Sequence, residues 1–159
     1  MTETMRKLFL FKLDEQRYAL DFAAVERVTR IVEITPLPKA PAIVLGVVDV
    51  QGRILPVLDL RKAFHLPERE ISLSDQLIIA GNKGLGITLL TQEVLGVAEC
   101  TDRDVAAPES IFPGIEFVCG VAELGGRVVM ICDLDRLCSE GKAADDAPHE
   151  QGGNGGGDG

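Results

Sequence analysis

Residues 46–64 read GVVDVQGRILPVLDLRKAF, and residues 120–138 read GVAELGGRVVMICDLDRLC. At a constant offset of 74 they share Gly46/Gly120, Val47/Val121, Gly52/Gly126, Arg53/Arg127, Asp59/Asp133 and Leu60/Leu134. Six identities in nineteen ungapped positions mark a duplicated supersecondary unit. Two copies are too few for a solenoid, so two similar lobes packed together are expected.

Each copy is an apolar run, a Gly-containing pair, a second apolar run and then Asp-Leu. Gly takes positive φ without steric cost, so each pair marks a hairpin turn. Gly125-Gly126 suits a two-residue primed turn. Gln resists positive φ, so Gln51-Gly52 is expected to form a type I turn closed by a Gly52 bulge. The runs RILPVLD and RVVMICD are short, β-branched and nearly continuous in apolar residues, which predicts strands covered on both faces. Pro56 cannot donate to a ladder and predicts an edge strand or a bulge. Asp59 and Asp133 are placed as N-caps of short helices, LRKAF and LDRLCSE.

Outward from the repeat, residues 8–13 and 17–20 predict a first hairpin. Residues 25–30 (VERVTR) alternate as a half-exposed strand, but Val25 and Val28 fall out of phase, so a bulge or helical turn is expected near residues 22–26. Residues 34–41, with three prolines, predict an extended, exposed connector. Residues 67–74 are expected to link the two lobes. Residues 76–80 and 85–90 predict a second hairpin around Asn82-Lys83-Gly84, and residues 93–100 parallel residues 25–30. Residues 101–113 are expected to be irregular, and strand returns at residues 115–124.

The chain has 159 residues, 46% of them apolar, enough for one domain or two small lobes sharing a core. Aromatics make up 4% with no Trp, which argues against an aromatic-lined ligand pocket. The net charge is −9, of which −4 falls in residues 140–159. An acidic body without basic runs excludes nucleic acid and anionic membrane as expected partners. No apolar stretch approaches the roughly 20 residues of a spanning helix, and residues 8–11 are too few for a signal-peptide core. A cytoplasmic protein is expected. Cys100, Cys119, Cys132 and Cys138 have neither C-x-x-C spacing nor nearby histidines and are expected to be buried, reduced thiols. Residues 140–159, rich in Gly and Asp, are expected to be a disordered tail.

No constellation for nucleophilic, acid–base or metal chemistry emerges, so no catalytic residue, metal or cofactor is expected. Asp59 and Asp133 have local capping roles that displace a paired-carboxylate reading. His65 has no Ser, Cys or acid at motif spacing, and His149 lies in the tail. The run from Lys83 to Gly86 lacks the glycine pattern of a phosphate loop. Arg53 and Arg127 recur by duplication, which favours a structural pairing with a nearby acid.

YAL near the start, V-x-x-V-x-R at 25–30, LPKAP, G-V-x-x-x-x-G-R-h-h-P-V-x-D-L-R and the second-copy string GVAELGGRVVMICDL together resemble the CheW family of chemotaxis coupling proteins. The resemblance covers about residues 6–139. It implies an all-β fold of two intertwined five-stranded SH3-like β-barrels, with short helices after each Asp-Leu motif. The domain is expected over residues 1–139, with lobe one at about 17–65, lobe two at about 75–135, and the terminal segments completing the barrels.

The same resemblance implies a non-enzymatic adaptor, monomeric in isolation. Its implied partners are the regulatory domain of a CheA-like histidine kinase and the cytoplasmic tip of a chemoreceptor, whose helix lies in a groove between the barrels. Carried over by position, the groove residues are Asp49, Val50, Gln51 and Gly52 with Val25 and Val28; the valines would form its floor, and Arg27, Asp49 and Gln51 its rim. Asp49 stands where the family has Asn, Gln51 where it has Arg, and Arg27 at a place often acidic. Losing the planar guanidinium at position 51 leaves a second role open, a regulatory or assembly module serving a non-receptor partner or a non-flagellar pathway.

Overall fold

A computed structural model describes residues 4–82, 84–111 and 113–145. The strands are β1 (Met5–Leu13), β2 (Gln16–Asp21), β3 (Val25–Arg30), β4 (Val44–Val50), β5 (Arg53–Asp59), β6 (Gln76–Asn82), β7 (Leu85–Thr91), β8 (Glu93–Thr101), β9 (Val105–Ala106), β10 (Val118–Leu124) and β11 (Arg127–Cys132). Two helices follow the Asp-Leu motifs, α1 (Leu60–Ala63) and α2 (Leu134–Asp145). The fold is mostly β, in two sheets ordered β8-β1-β2-β11-β10-β9 and β3-β6-β7-β5-β4.

The sheets are pseudo-equivalent strand for strand. β3 matches β8, β6 matches β1, β7 matches β2, β5 matches β11 and β4 matches β10, while an isolated Thr35–Val47 bridge takes the place of β9. Both copies have one parallel pair, β5 with β7 and β11 with β2. Both hairpins of the repeat slip register at the same point, between Val44 and Gly46 and between Val118 and Gly120.

Sheet membership differs from the contiguous lobes expected at 17–65 and 75–135. β2 joins β8–β11, whereas β6 and β7 complete the sheet of β3–β5. The β1–β2 and β6–β7 hairpins are interchangeable apolar ribbons, and each docks on the second strand of a repeat copy. The chain therefore crosses between sheets twice, at residues 22–24 and at residue 92, and not in residues 67–74. That latter segment stays beside one sheet, fastened by Arg69 Nη2 to Asp75 Oδ1 at 2.7 Å and by Ser72 N–H to Asp75 Oδ2 at 2.8 Å.

Alternation along the strands splits the apolar residues into three clusters. Leu8, Leu10, Ala19, Val129 and Ile131 pack on one face of the six-stranded sheet, and Val48, Leu55, Val57, Leu77 and Ile79 on one face of the five-stranded sheet. The opposite faces of the same strands, with Phe9, Phe11, Leu20, Leu58, Ile78 and Leu89, form a third core shared by the two sheets. This is why the sequence runs are continuously apolar: both faces are covered.

Several local expectations change. Pro56 lies in an internal strand, opposite Val47. Val47 exchanges both backbone hydrogen bonds with Thr35 at 2.8 Å, so Pro56 occupies a non-hydrogen-bonded site on its β4 side. Its β7 side lies one residue before the parallel ladder begins at Val57, so no donor is missed. The 34–41 connector is not simply exposed, since Thr35 is bridged to β4 while Ile34, Leu37 and Ala40 pack against core clusters. Residues 101–113 include two 3-10 turns and β9, which pairs with β10. Helix α2 continues through residues 140–145, expected to be tail, because Lys142-Ala143-Ala144 are good helix formers and Gly141 packs on Pro56 and Ile87. Lys83, Phe112 and residues 146–159, including His149, lie outside the described residues.

Candidate interaction surface

The β4–β5 hairpin turns through Gln51 and Gly52, with Val50 opposite Arg53. Gln51 has φ 52° and Gly52 φ 87°, so this is a two-residue primed turn, not the type I turn with a bulge expected from Gln. It matches the Gly125-Gly126 turn, with φ 59° and 78°. Strand twist demands the primed geometry, and Gln51 accepts a left-handed backbone that costs about 1–2 kcal/mol. Two contacts hold it there. The Asp49 Oδ1 accepts from the Gly52 N–H at 2.8 Å, and the Arg27 Nη1 donates to Gln51 Oε1 at 3.0 Å.

Arg27 reaches the turn because of how β3 begins. A 3-10 turn at Phe22–Ala24 precedes it, and the register with β6 slips between Val25 and Arg27. Both devices expected near residues 22–26 are present. Val25 and Val28 then point to the shared core while Arg27 lies on the opposite face. Beside that bond, Arg53 Nη1 donates to Glu26 Oε1 at 2.7 Å. Two side-chain pairs thus join β3, at one edge of the sheet, to the β4–β5 hairpin at the other.

Arg27, Asp49, Gln51 and Gly52 therefore come together, but the three valines do not form one floor. Val25 and Val28 are part-buried against the core shared by the two sheets, whereas Val50 is part-buried in the cluster on the other face of the β3–β7 sheet. The reason is the period of two: Val50 shares the inward phase of Val48. Glu26 was not singled out in the sequence. Its partner lies 27 residues away, and no local spacing signals such a pair.

The two Asp-Leu aspartates act separately. Asp59 Oδ1 accepts from the Arg61 N–H at 3.0 Å, and Asp133 Oδ1 from the Arg136 N–H at 3.1 Å. Each caps its own helix. Arg61, also unremarked in the sequence, is 8% exposed and carries the main polar tie between the halves. Its guanidinium donates to Asp14 and Gln92 side chains and to the Pro67 carbonyl.

Cys100, Cys132 and Cys138 are buried, but Cys119 is exposed, contrary to expectation. It occupies the bulge between Val118 and Gly120, where pairing is lost and the chain turns a side chain outward. Burial pushes the Cys132 thiol well up and raises those of Cys119 and Cys100. Among the described residues no three His, Cys, Asp or Glu side chains gather as metal ligands, and no helix is long and apolar enough to cross a membrane.

One further correction concerns the aromatics. Three of the seven in the sequence stack together, Phe11 on Tyr18 at 5.9 Å and Tyr18 on Phe64 at 4.5 Å between ring centroids. Tyr18 and Phe64 border a cavity of about 640 Å3, despite the low aromatic content.

Residues 7–142 match the family described as CheW-like domain. The chemotaxis protein CheW of Rhizobium meliloti is 29% identical over 139 residues, covering 86% of this chain and 90% of that one. That of Thermotoga maritima is 30% identical over 130 residues, covering 82% and 85%. The crystal structure of the scaffolding protein TtCheW from Thermoanaerobacter tengcongensis superposes with a TM-score of 0.73 at 28% identity, covering 82% of this chain and 90% of that one. With more than four-fifths of its length matched at the level of sequence and of fold, the chain belongs to the CheW-like domain family.

Proposed function

We propose that this protein is a non-enzymatic adaptor of a bacterial chemosensory pathway, working in the cytoplasm and coupling a CheA-type histidine kinase to chemoreceptors. The observation that carries it is the likeness to TtCheW, a scaffolding protein, across most of both chains. The surface of Arg27, Asp49, Gln51 and Gly52 is the proposed receptor contact, with Val25 and Val28 contributing where they reach solvent. A receptor helix laid there would find apolar anchors and a polar rim. The adaptor holds receptor and kinase in a fixed relation and transmits a receptor shift as altered kinase activity, which is linkage between binding sites and not catalysis. Titration calorimetry of the purified chain against the regulatory domain of the CheA-type kinase from its own genome tests this. A dissociation constant on the order of micromolar or tighter, with no added ligand, is expected. No binding to any such domain overturns it.

The Arg27–Gln51 bond favours a second reading, in which the partner is not a standard receptor tip. The guanidinium sits on β3 and its amide acceptor on the turn, the reverse of the family arrangement. Gln51→Arg alone would set two guanidiniums against each other, so R27E/Q51R is the informative variant. If only that double variant binds receptor tips, the wild-type partner is of another kind.

A further inference from the structure

Beyond their Asp-Leu motifs the two copies of the repeat diverge. Helix α2 runs on over the neighbouring sheet, and Gly141 sits so close that an added Cβ would meet Ile87 Cγ2 at 2.8 Å and Pro56 Cγ at 3.0 Å. By the offset of 74, Met130 is the equivalent of Pro56, and the matching parallel pairs make Tyr18 the equivalent of Ile87. Over Tyr18 and Met130 no such helix lies among the described residues. α1 ends at Ala63, and the chain turns away through His65, with φ 58°. The cavity of about 640 Å3 occupies the space so left, walled by Phe64, Leu66 and Ile115 as well as Tyr18 and Met130.

Tyr18 is 2% exposed as a residue, and its side chain lines the cavity. The covered copy has an isoleucine at this place, so only the uncovered copy presents a hydroxyl to the space beside it. A donor that opens into a chiefly apolar cavity selects for a ligand with a matching acceptor, since a ligand without one would cover the hydroxyl and leave it unpaired.

We propose that this cavity is a binding site for a small, neutral, mostly apolar molecule carrying a carbonyl or similar acceptor that bonds the Tyr18 hydroxyl. The volume falls in the range of small-molecule sites. Neutrality follows from the walls, which are chiefly apolar and carry no Lys or Arg among the described residues; besides Tyr18 the titratable side chains that line it are His65 and Glu116, and Glu116 is ion-paired with Arg136 at 3.8 Å. Acceptor chemistry is dictated by the hydroxyl, which burial keeps protonated with its pKa raised to about 12. The cavity lies between the segment after α1 and the loop before β10, so occupancy would bear on both halves of the protein at once.

Titrating the isotope-labelled full chain with acetophenone, monitored by NMR, tests the site. Shifts confined to Tyr18, Phe64, Leu66, Ile115 and Met130 are expected, with ethylbenzene, which lacks the acceptor, binding about fivefold more weakly. Tyr18→Phe should remove that preference, and Met130→Trp, which fills the space, should abolish binding. Should Tyr18→Phe fail to fold, the comparison of the two probes on the wild type still decides. Absence of shifts at the solubility limit, shifts elsewhere, or equal affinity for the two probes overturns the proposal. It also falls if Met130→Trp blocks the kinase regulatory domain while acetophenone does not bind, since the cavity would then be a socket for a partner's side chain.

Discussion

Arg61 and Asp14 form a two-pronged ion pair, Nη1 to Oδ1 at 3.0 Å and Nη2 to Oδ2 at 2.9 Å. The guanidinium belongs to α1 of one half and the carboxylate to the β1–β2 turn of the other. Gln92 Oε1 accepts from the same Nη1 at 3.0 Å, at the second of the two points where the chain crosses between sheets. Arg61→Met should cost about 2 kcal/mol, since it strips bonds from a charged, buried donor. A fall of about 5 °C in the thermal midpoint is expected by calorimetry. An unchanged midpoint would show that the pair contributes nothing to holding the halves together.

Gln51 is held at positive φ by its neighbours. Gln51→Gly removes the left-handed strain but loses the bond from Arg27, so a net gain of about 0.5 kcal/mol is expected in urea unfolding. Gln51→Val, β-branched at the same φ, should lose about 1–2 kcal/mol. The two variants should therefore move the urea midpoint in opposite directions.

Gly46 admits no side chain. An added Cβ would lie 2.1 Å from the Thr35 carbonyl oxygen and 2.7 Å from its carbon, both backbone atoms. Gly46→Ala should displace the Thr35 bridge from β4 and cost about 3 kcal/mol. Hydrogen exchange at the Thr35 amide, slow in the wild type, should become fast in the variant.

Tyr18 is the chain's one tyrosine, so tyrosinate absorbance reads it alone. Burial raises its folded-state pKa from 10.0 to about 12, with smaller contributions from Cys132 and Asp14. The unfolded chain loses this proton first. The stabilisation is thus fully present below pH 10 and fades as pH rises toward 12, at about 1.4 kcal/mol per pH unit. Tyr18→Phe should flatten that part of the stability–pH curve, and a native titration midpoint near 10 would contradict it.

Of the four thiols only Cys119 is exposed. Ellman's reagent at pH 8 should modify one thiol in the folded protein, slowly because burial of its sulfur raises its pKa, and all four after unfolding. Cys119→Ser should abolish the native reaction.

Much of this molecule was legible in the chain itself. The 74-residue repeat announces two like halves, the Gly pairs their hairpin turns and Asp59 and Asp133 their helix starts, because such signals act over a few residues. Tertiary structure alone decided which hairpin completes which sheet, since β1–β2 and β6–β7 present the same apolar pattern and only long-range docking distinguishes them. It also decided the primed turn at Gln51, where strand twist outweighs the residue's own preference, and the division of Val25 and Val28 from Val50. The Arg61 clasp and the cavity over Tyr18 likewise depend on residues far apart in sequence. Their energies come from burial and from partners that no local spacing reveals.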